Sequence, residues 1–291
     1  MTKYYKCIPS LNENDTQFYI HQPTQTGRGW LHEDMQDRET LLVAVGDSWT
    51  WGDSIFDIDI PSNIVDDPRR VTAIYGAKLA ESFNSDFVNI AECGGNNVQM
   101  LKRLDRILAY NYEKYKKIRV IITLTEVGRE LANFQEYSND NTNINEFLKE
   151  VERKVFMEYK SLFEKYSNTT FFIGRNFTYS FEENINIIEK YHLDKTWIDV
   201  LNDHIQEPYP TDLRLVTSMA IRPIERIMTR KNNLDAFKEY LVDEYSRIYN
   251  SSNWLMKSKF NHKKATKHPT VEGHKLWADY LYDQFNRTES E

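Results

Sequence analysis

Residues 41–52 read LLVAVGDSWTWG, an apolar run followed by Gly-Asp-Ser and then by two tryptophans around a threonine. A short, continuous apolar run such as residues 41–45 is typical of a central strand covered on both faces. Ser48 then stands directly after the end of that strand. Gly-Asp-Ser is by itself typical of a turn, so two interpretations compete: a turn, or a serine nucleophile presented at the edge of a sheet.

The composition is that of a globular protein with an acidic balance. The chain has 291 residues, enough for one large domain or two small ones, with 40% hydrophobic and 28% charged residues. A net charge of −7 argues against nucleic acid as a partner, because binding to phosphates requires clustered Lys and Arg. The two cysteines, Cys7 and Cys93, provide neither a disulfide framework nor a zinc-site spacing.

Hydropathy indicates no export or membrane segment. The first 17 residues, MTKYYKCIPSLNENDTQ, lack the apolar core of a signal peptide. No stretch of about 18 apolar residues is present, so we expect no transmembrane helix. These observations predict a cytoplasmic protein without membrane partners.

Strand-like and helix-like segments alternate after residue 40. We expect strands at 41–45, 86–91, 119–125 and 169–174, separated by helices at 68–83, 97–112 and 144–166. This alternation predicts a parallel sheet with helices on both sides. Such sheets bind ligands outside the carboxyl ends of their strands, where the motifs of this chain fall.

The two ends of the chain and one internal region depart from this alternation. Residues 1–40 are polar, and we expect an irregular N-terminal extension on the surface. Residues 41–291 are predicted to form a single domain. Within it, about 176–255 resembles an insertion or lid with short helices around 182–190 and 234–250 and a loop at 207–210.

The C-terminal stretch provides a candidate base for Ser48. Residues 268–281 read HPTVEGHKLWADYL, in which Thr270 is placed to cap a final helix. His268 would lie on the loop that leads into this helix, at the ligand edge of the sheet. A serine hydroxyl is a poor nucleophile until a base removes its proton. We therefore expect Ser48 and His268 to act together, and we expect His274, inside the helix, to be structural or surface-facing.

These motifs resemble those of the SGNH (GDSL-type) hydrolase family. Gly46-Asp47-Ser48 is similar to its first block, residues 89–94 are similar to its second, and His268 with the following Pro and Gly-His is similar to its last. The match spans about residues 42–287. It implies a three-layer α/β/α sandwich with a central parallel sheet, hydrolysis of esters, and no metal or organic cofactor.

The resemblance also implies catalytic roles. Ser48 would attack the acyl carbon, and His268 would serve as general base and then general acid. The backbone N–H groups of Ser48 and Gly94 would donate to the oxyanion, and each such donor is worth about 10²–10³ in rate.

Two positions depart from the pattern of the family. Ala265 stands where the family usually has an Asp three residues before the histidine. Ser48 and His268 could then act as a dyad, a main-chain carbonyl could hold the imidazole, or a carboxylate could come from elsewhere. Glu126 and Glu130 are the candidate orienting acids.

The second departure affects the oxyanion site. Val127 stands near the position of the family's oxyanion asparagine. Substitute donors are Asn96, Asn97 and Arg129, although Arg129 could equally form a surface salt bridge. The spacing from Thr125 to Arg129 resembles a Thr-x-x-x-Arg version of this block in some members, several from phages, which leaves a phage-encoded, virion-associated protein open.

The two tryptophans after Ser48 have two interpretations. Trp49 and Trp51 could line a pocket for a sugar face or an acyl chain, or they could lie under the first helix. Asp47 is expected to cap the turn, and Asp53 is expected to be a turn residue.

Three functions remain open at this point. The first is a serine esterase acting on small-molecule or glycan esters, with O-deacetylation of a carbohydrate as its expected reaction. The second is an O-acyltransferase that uses the same dyad. The third is an inactive glycan-binding module. The sequence does not indicate the acyl group or the oligomeric state.

Overall fold

The computed structural model describes residues 4–8, 19–21, 30–32, 38–52, 55, 68–91, 95–130, 144–176, 181–204 and 269–290. The strands are β1 (Tyr4–Ile8), β2 (Tyr19–His21), β3 (Trp30–His32), β4 (Thr40–Val45), β5 (Asp86–Asn89), β6 (Lys117–Leu124) and β7 (Thr169–Arg175). The helices are α1 (Ser48–Trp51), α2 (Pro68–Ala73), α3 (Tyr75–Ser82), α4 (Asn97–Asn111), α5 (Ile144–Lys165), α6 (Glu182–Ile188), α7 (Trp197–Asn202) and α8 (Val271–Ser290).

The strands of the described residues form one sheet in the order β2-β1-β3-β5-β4-β6-β7. The four strands β5, β4, β6 and β7 are parallel. Val43 of β4 lies opposite Val88 of β5 on one side and Val120 of β6 on the other. The predicted central parallel sheet is confirmed.

The first three strands extend this sheet in an antiparallel sense. Leu31 of β3 lies opposite Val88 of β5, and β1 pairs with both β3 and β2. The prediction of an irregular segment over residues 1–40 is therefore wrong for these three stretches. They cover an edge of β5 that would otherwise present unpaired backbone groups. The division into an extension and a single domain stays a prediction.

Helices cover both faces of the sheet. Leu41, Val43 and Val45 of β4 contribute to the apolar cluster under α4 and α5, while Leu42 and Ala44 contribute to the cluster under α3, α7 and α8. A strand covered on both faces needs apolar residues at every position, which explains the continuous run at 41–45. The protein is thus a three-layer α/β/α sandwich.

The expected helix over 68–83 is two helices. Ile74 between them has extended backbone angles, with φ −69° and ψ 152°. The break leaves Tyr75 N in the first turn of α3, where it donates to His274 Nδ1 at 3.2 Å. Gly76 then lies against the sheet so closely that a Cβ would come within 2.6 Å of the Phe87 ring.

Helix α8 runs opposite to the parallel strands. Its end lies at their amino edge, where Arg119 near the start of β6 donates to Glu289 at 2.7 and 2.8 Å. In its first half, the Trp277 ring contacts Gly174 near the end of β7. Trp277, Leu281 and Phe285 recur every four residues and are fully buried, which fixes this face of the helix on the sheet. The first turn of α8 therefore lies toward the carboxyl edge.

Only part of the expected insertion at 176–255 is described. Its described residues include α6, a 3₁₀ turn at Glu189–Tyr191, and α7, which Thr196 caps. The loop at 207–210 and the expected helix at 234–250 lie outside the described residues. Among the helices that are described, none is long and apolar enough to cross a membrane.

Candidate active site

The turn at residues 46–48, called the nucleophile turn below because it carries the predicted nucleophile, joins β4 to α1 and requires glycine at its first position. A Cβ on Gly46 would lie 2.1 Å from Thr50 Oγ1 and 3.2 Å from Thr123 O. The first turn of α1 therefore approaches the sheet more closely than any side chain allows. Gly52 ends the helix with φ 79°, and its N–H donates to Trp49 O at 3.2 Å.

Asp47 caps α1, as expected. Its Oδ1 accepts from Trp49 N at 3.0 Å, and it is 2% exposed. The same oxygen accepts from Asn176 Nδ2 at 2.9 Å, and Oδ2 lies 3.5 Å from Arg129 Nη2. Asp47 thus joins the carboxyl ends of three parallel strands: β4, β6 and β7.

Ser48 is the first residue of α1 and is partly exposed, whereas Asp47 and Trp49 on either side of it are buried. The turn therefore holds a partly exposed hydroxyl residue between two buried neighbours at the carboxyl edge of the sheet. This is the ligand edge of a parallel α/β sheet. The position agrees with the predicted nucleophile, which stays a prediction.

Arg129 belongs to a 3₁₀ turn, Val127–Glu130, directly after β6. Its Nε donates to Glu126 Oε1 at 2.7 Å, and Glu126 Oε2 accepts from Thr125 Oγ1 at 2.6 Å. Arg129 therefore forms salt bridges, as the alternative interpretation expected, but its side chain is only 10% exposed, so these bridges lie below the surface. Burial lowers the pKa of Arg129, but the carboxylates of Glu126 and Asp47 outweigh burial and raise it overall.

Arg129 also reaches the segment that contains the predicted oxyanion glycine. Its Nη1 donates to Gly95 O at 3.2 Å. Gly94 itself lies outside the described residues, as do Cys93 and Asp53. The predicted roles of Gly94 and Arg129 as oxyanion donors stay predictions.

Asn96 and Asn97 begin helix α4. Asn96 is its N-cap, with Oδ1 accepting from Gln99 N at 2.8 Å, and Asn96 is partly exposed. The buried Asn97 amide donates to Thr125 O at 3.1 Å and accepts from Thr125 N at 3.0 Å. Asn97 thus ties α4 to the end of β6, and both residues stay predicted oxyanion donors.

Glu130 is fully buried at the same helix terminus. Its Oε1 accepts from Asn97 N and, at 3.3 Å, from Val98 N. A carboxylate is favourable at a helix N-terminus, which accounts for a buried acid here. Glu126 instead binds Arg129. Their predicted role as orienting acids is untested, because His268 lies outside the described residues.

Trp49 and Trp51 are buried, at 4% and 5% exposed. Trp49 contacts Trp197 edge to face with ring centroids 5.5 Å apart, and the Arg70 guanidinium lies 5.0 Å from the Trp51 ring centroid. Burial favours the interpretation in which both rings lie in the interior. A substrate contact by either ring stays a prediction.

The start of α8 is connected to α1 through Trp197 of α7. Gly273 O accepts from Trp197 Nε1 at 3.1 Å, and Trp197 in turn contacts Trp49. Pro269 and Thr270 are the first described residues of this segment, and Thr270 Oγ1 accepts from Gly273 N at 3.4 Å, the expected cap. The chain therefore returns toward the edge that holds Ser48, and the pairing of Ser48 with His268 stays a prediction.

His274 is structural rather than surface-facing. It is fully buried, and its Nδ1 accepts from Tyr75 N, an arrangement that assigns the proton of a neutral ring to Nε2. Its ring also lies against Trp197, with centroids 4.9 Å apart.

Two residues of the site have roles that the sequence did not predict. Asn89, at the end of β5, donates to Thr50 O at 3.2 Å and so fixes α1 from the other side. Asn176, just after β7, donates to Asp47. Each asparagine stands at the carboxyl end of a predicted strand, which is visible in the sequence. Its hydrogen-bond partner depends on how the strands are arranged in the sheet and could not be predicted. Across the described residues, no cluster of three His, Cys, Asp or Glu side chains is arranged to hold a metal ion.

No protein-family model and no curated protein match the chain. Among solved structures, it is similar to the psychrotrophic esterase EstA from Pseudoalteromonas sp., with 12% identity, a TM-score of 0.36, and 87% of this chain and 100% of that chain covered. It is also similar to a carbohydrate esterase family 2 enzyme from Corynascus thermopiles, with 12% identity, a TM-score of 0.41, and 94% and 70% covered.

A third similar structure is AlinE4, a SGNH-hydrolase family esterase, with 16% identity, a TM-score of 0.33, and 67% of this chain and 94% of that chain covered. Similarity at this level carries no information on the activity of this chain.

Proposed function

We propose that this protein is a serine hydrolase of acyl esters with Ser48 as its nucleophile. One observation carries the proposal: Ser48 is partly exposed at the carboxyl edge of the central parallel strand, on a turn fixed by buried contacts. Gly46, Asp47 and Asn89 each restrict this turn, which is what a reproducible attack geometry requires.

The proposed reaction has two steps. Ser48 Oγ attacks the acyl carbon while His268 takes the hydroxyl proton, and the backbone N–H groups of Ser48 and Gly94 hold the oxyanion. The intermediate collapses when His268 gives that proton to the leaving alcohol, which leaves an acyl-serine ester. Water, deprotonated by His268, then attacks the acyl carbon, and His268 returns the proton to Ser48 Oγ as the bond to the acyl group breaks and the acid is released.

For the substrate we propose acetyl esters of carbohydrates, following the sequence resemblance. Trp49 and Trp51 are buried, so the preference for a sugar does not rest on them in this proposal. Aryl acetate, butyrate and octanoate should then separate acyl preference from sugar preference, and an acetylated oligosaccharide should be preferred over the aryl acetate.

The test is hydrolysis of an aryl acetate by the wild type, Ser48→Ala and His268→Ala. The matched control is Ser82→Ala, which changes an exposed serine on α3 whose hydroxyl donates to Lys78 O at 3.0 Å. We expect kcat to fall by at least about 10⁴ in the first two variants and to stay unchanged in the control. Equal turnover in all four proteins would reject the proposal.

The same assay separates the other two functions. An acyltransferase would form acylated product when a sugar acceptor is added, at the expense of free acetate. An inactive glycan-binding module would show no turnover of any ester and would retain binding to a glycan.

A further inference from the structure

Arg129 contacts two segments of the proposed catalytic centre: the nucleophile turn, and the residue that follows the predicted oxyanion glycine. Its Nη2 lies 3.5 Å from Asp47 Oδ2 in the nucleophile turn, and its Nη1 donates to Gly95 O, directly after the predicted oxyanion glycine. We infer that Arg129 is a positioning residue that fixes the nucleophile turn relative to Gly95. This inference rests on the proposed function.

The guanidinium is itself held in one place. Glu126 accepts from Nε at 2.7 Å, and the other oxygen of this carboxylate accepts from Thr125 Oγ1. The side chains of Arg129 and Glu126 are 10% and 2% exposed. A planar guanidinium with one edge fixed on the end of β6 can therefore direct its remaining donors at two other segments.

Asp47 transmits this restraint to Ser48. Its Oδ1 accepts from Trp49 N, which sets the first turn of α1, and from Asn176 Nδ2. The carboxylate is thus held from β6 by Arg129 and from β7 by Asn176. Loss of either contact allows Asp47 to rotate, and Ser48, its neighbour in the chain, moves with it.

The contacts of Arg129 indicate that it acts through other groups. Each of its three nitrogens, Nε, Nη1 and Nη2, faces a protein oxygen, on Glu126, Gly95 and Asp47 respectively. Arg129 therefore links the end of strand β6 to Gly95 and to the nucleophile turn.

The first experiment compares Arg129→Met and Arg129→Lys with the control Arg153→Met. Arg153 pairs with Glu150 at 2.7 Å on the exposed face of α5 and is 46% exposed. We expect Arg129→Met to lower kcat for the aryl acetate about 10²-fold with KM nearly unchanged, because misplacement by about 1 Å has an effect of this size. Arg129→Lys keeps the charge, and its kcat should fall about tenfold. Arg153→Met should have the kcat and KM of the wild type.

The second experiment tests whether Arg129 acts through Asp47. If it does, Arg129→Met and Asp47→Asn share one effect, and the double variant loses little more kcat than the worse single variant. If Arg129 instead donates directly to the oxyanion, the two losses multiply. Millimolar guanidinium should restore part of the kcat of Arg129→Ala, and it should leave Arg153→Ala unchanged.

The outcomes separate this inference from the proposed function. Turnover that is the same in wild type and Ser48→Ala rejects the proposed function. If Ser48→Ala is inactive, a wild-type kcat in Arg129→Lys and Arg129→Met overturns the inference, and so do multiplying losses in the double variant. If Arg129→Met does not fold, the test is the kcat of Arg129→Lys, measured where its melting temperature equals that of the wild type. A loss of about tenfold supports the inference, and a wild-type kcat overturns it.

Discussion

Two largely buried arginines, one near the start of β6 and one in the turn that follows it, are used differently at the two edges of the sheet. Arg129, at the carboxyl edge, contacts Glu126, Gly95 and Asp47, on three separate segments. Arg119, at the amino edge, forms a two-bond pair with Glu289 and lies 4.2 Å from the Phe83 ring centroid. The first arrangement sets the relative position of loops, whereas the second attaches one helix end to the sheet.

Because the two edges have different roles, we expect substitutions at one edge to change activity and substitutions at the other to change stability. Contacts at the carboxyl edge involve short segments that carry the proposed chemistry, so we expect changes there to affect kcat. Contacts at the amino edge hold α8, whose apolar face is fully buried at Trp277, Leu281 and Phe285. Changes at that edge should affect the free energy of unfolding and leave kcat alone.

The largest effect is expected from Gly46→Ala. The added Cβ meets Thr50 Oγ1 at 2.1 Å, so α1 has to move away from the sheet. We expect a loss of about 3 kcal/mol in the free energy of unfolding and a drop of about 10²-fold in kcat. Urea denaturation and aryl acetate turnover measure the two.

The control for Gly46→Ala is Gly76→Ala, whose Cβ meets the Phe87 ring at 2.6 Å where α3 packs on the sheet. It should lose comparable stability and keep its kcat at a temperature where it is folded. A matching loss of kcat in Gly76→Ala would mean that the two effects are not separable.

Arg119→Met is expected to have an intermediate effect. It removes both bonds to Glu289 and the contact with Phe83, while Lys117 at 2.6 Å keeps that carboxylate paired. We expect the free energy of unfolding to fall by about 2 kcal/mol and kcat to stay within about twofold of the wild type. Lys165→Met, which breaks the exposed pair with Asp105, should lose less than about 0.5 kcal/mol. A large loss of kcat in Arg119→Met would break the comparison.

The smallest effect at neutral pH is expected from His192→Gln. His192 Nε2 contacts Arg175 at the end of β7, and burial together with the Arg175 charge lowers the His192 pKa to about 3. Below about pH 6.5 the unfolded chain binds a proton here that the native state does not, so stability falls as the pH falls from about 6.5 toward 3.

His192→Gln should remove this contribution, because a glutamine oxygen still accepts from Arg175 and does not titrate. Urea midpoints at pH 7 should match those of the wild type, and the decline between pH 6.5 and 4 should be shallower. The exposed His204→Gln is the control and should follow the wild type. Parallel pH curves for His192→Gln and the wild type would show that His192 contributes no acid sensitivity.

The fold was predictable where burial dictates sequence. The uninterrupted apolar run of β4 requires cover on both faces, and the helices α4, α5 and α8 carry regular apolar spacing. The short strands of the N-terminal region were not predictable, since three to five residues such as Trp30–His32 show no period. Their pairing with β5 comes from tertiary contact.

The candidate site was predictable only in part. The turn at Ser48 and its cap Asp47 are local and could be read from adjacent residues. The contact between Asp47 and Asn176 joins residues 129 positions apart, and the amide of Asn176 has no local pattern that points to Asp47. The sequence likewise does not indicate that Glu130 accepts from the first backbone N–H groups of α4. That contact depends on how the turn after β6 packs against the start of α4.

The central claim is that Ser48 is an activated nucleophile, and covalent labelling tests it most directly. The wild type and Ser48→Ala would be treated with a fluorophosphonate, and the adduct would be located by peptide mass spectrometry. We expect a single adduct on Ser48 in the wild type and none in Ser48→Ala. No adduct on the folded wild type, or one on a different serine that survives in Ser48→Ala, would contradict the account.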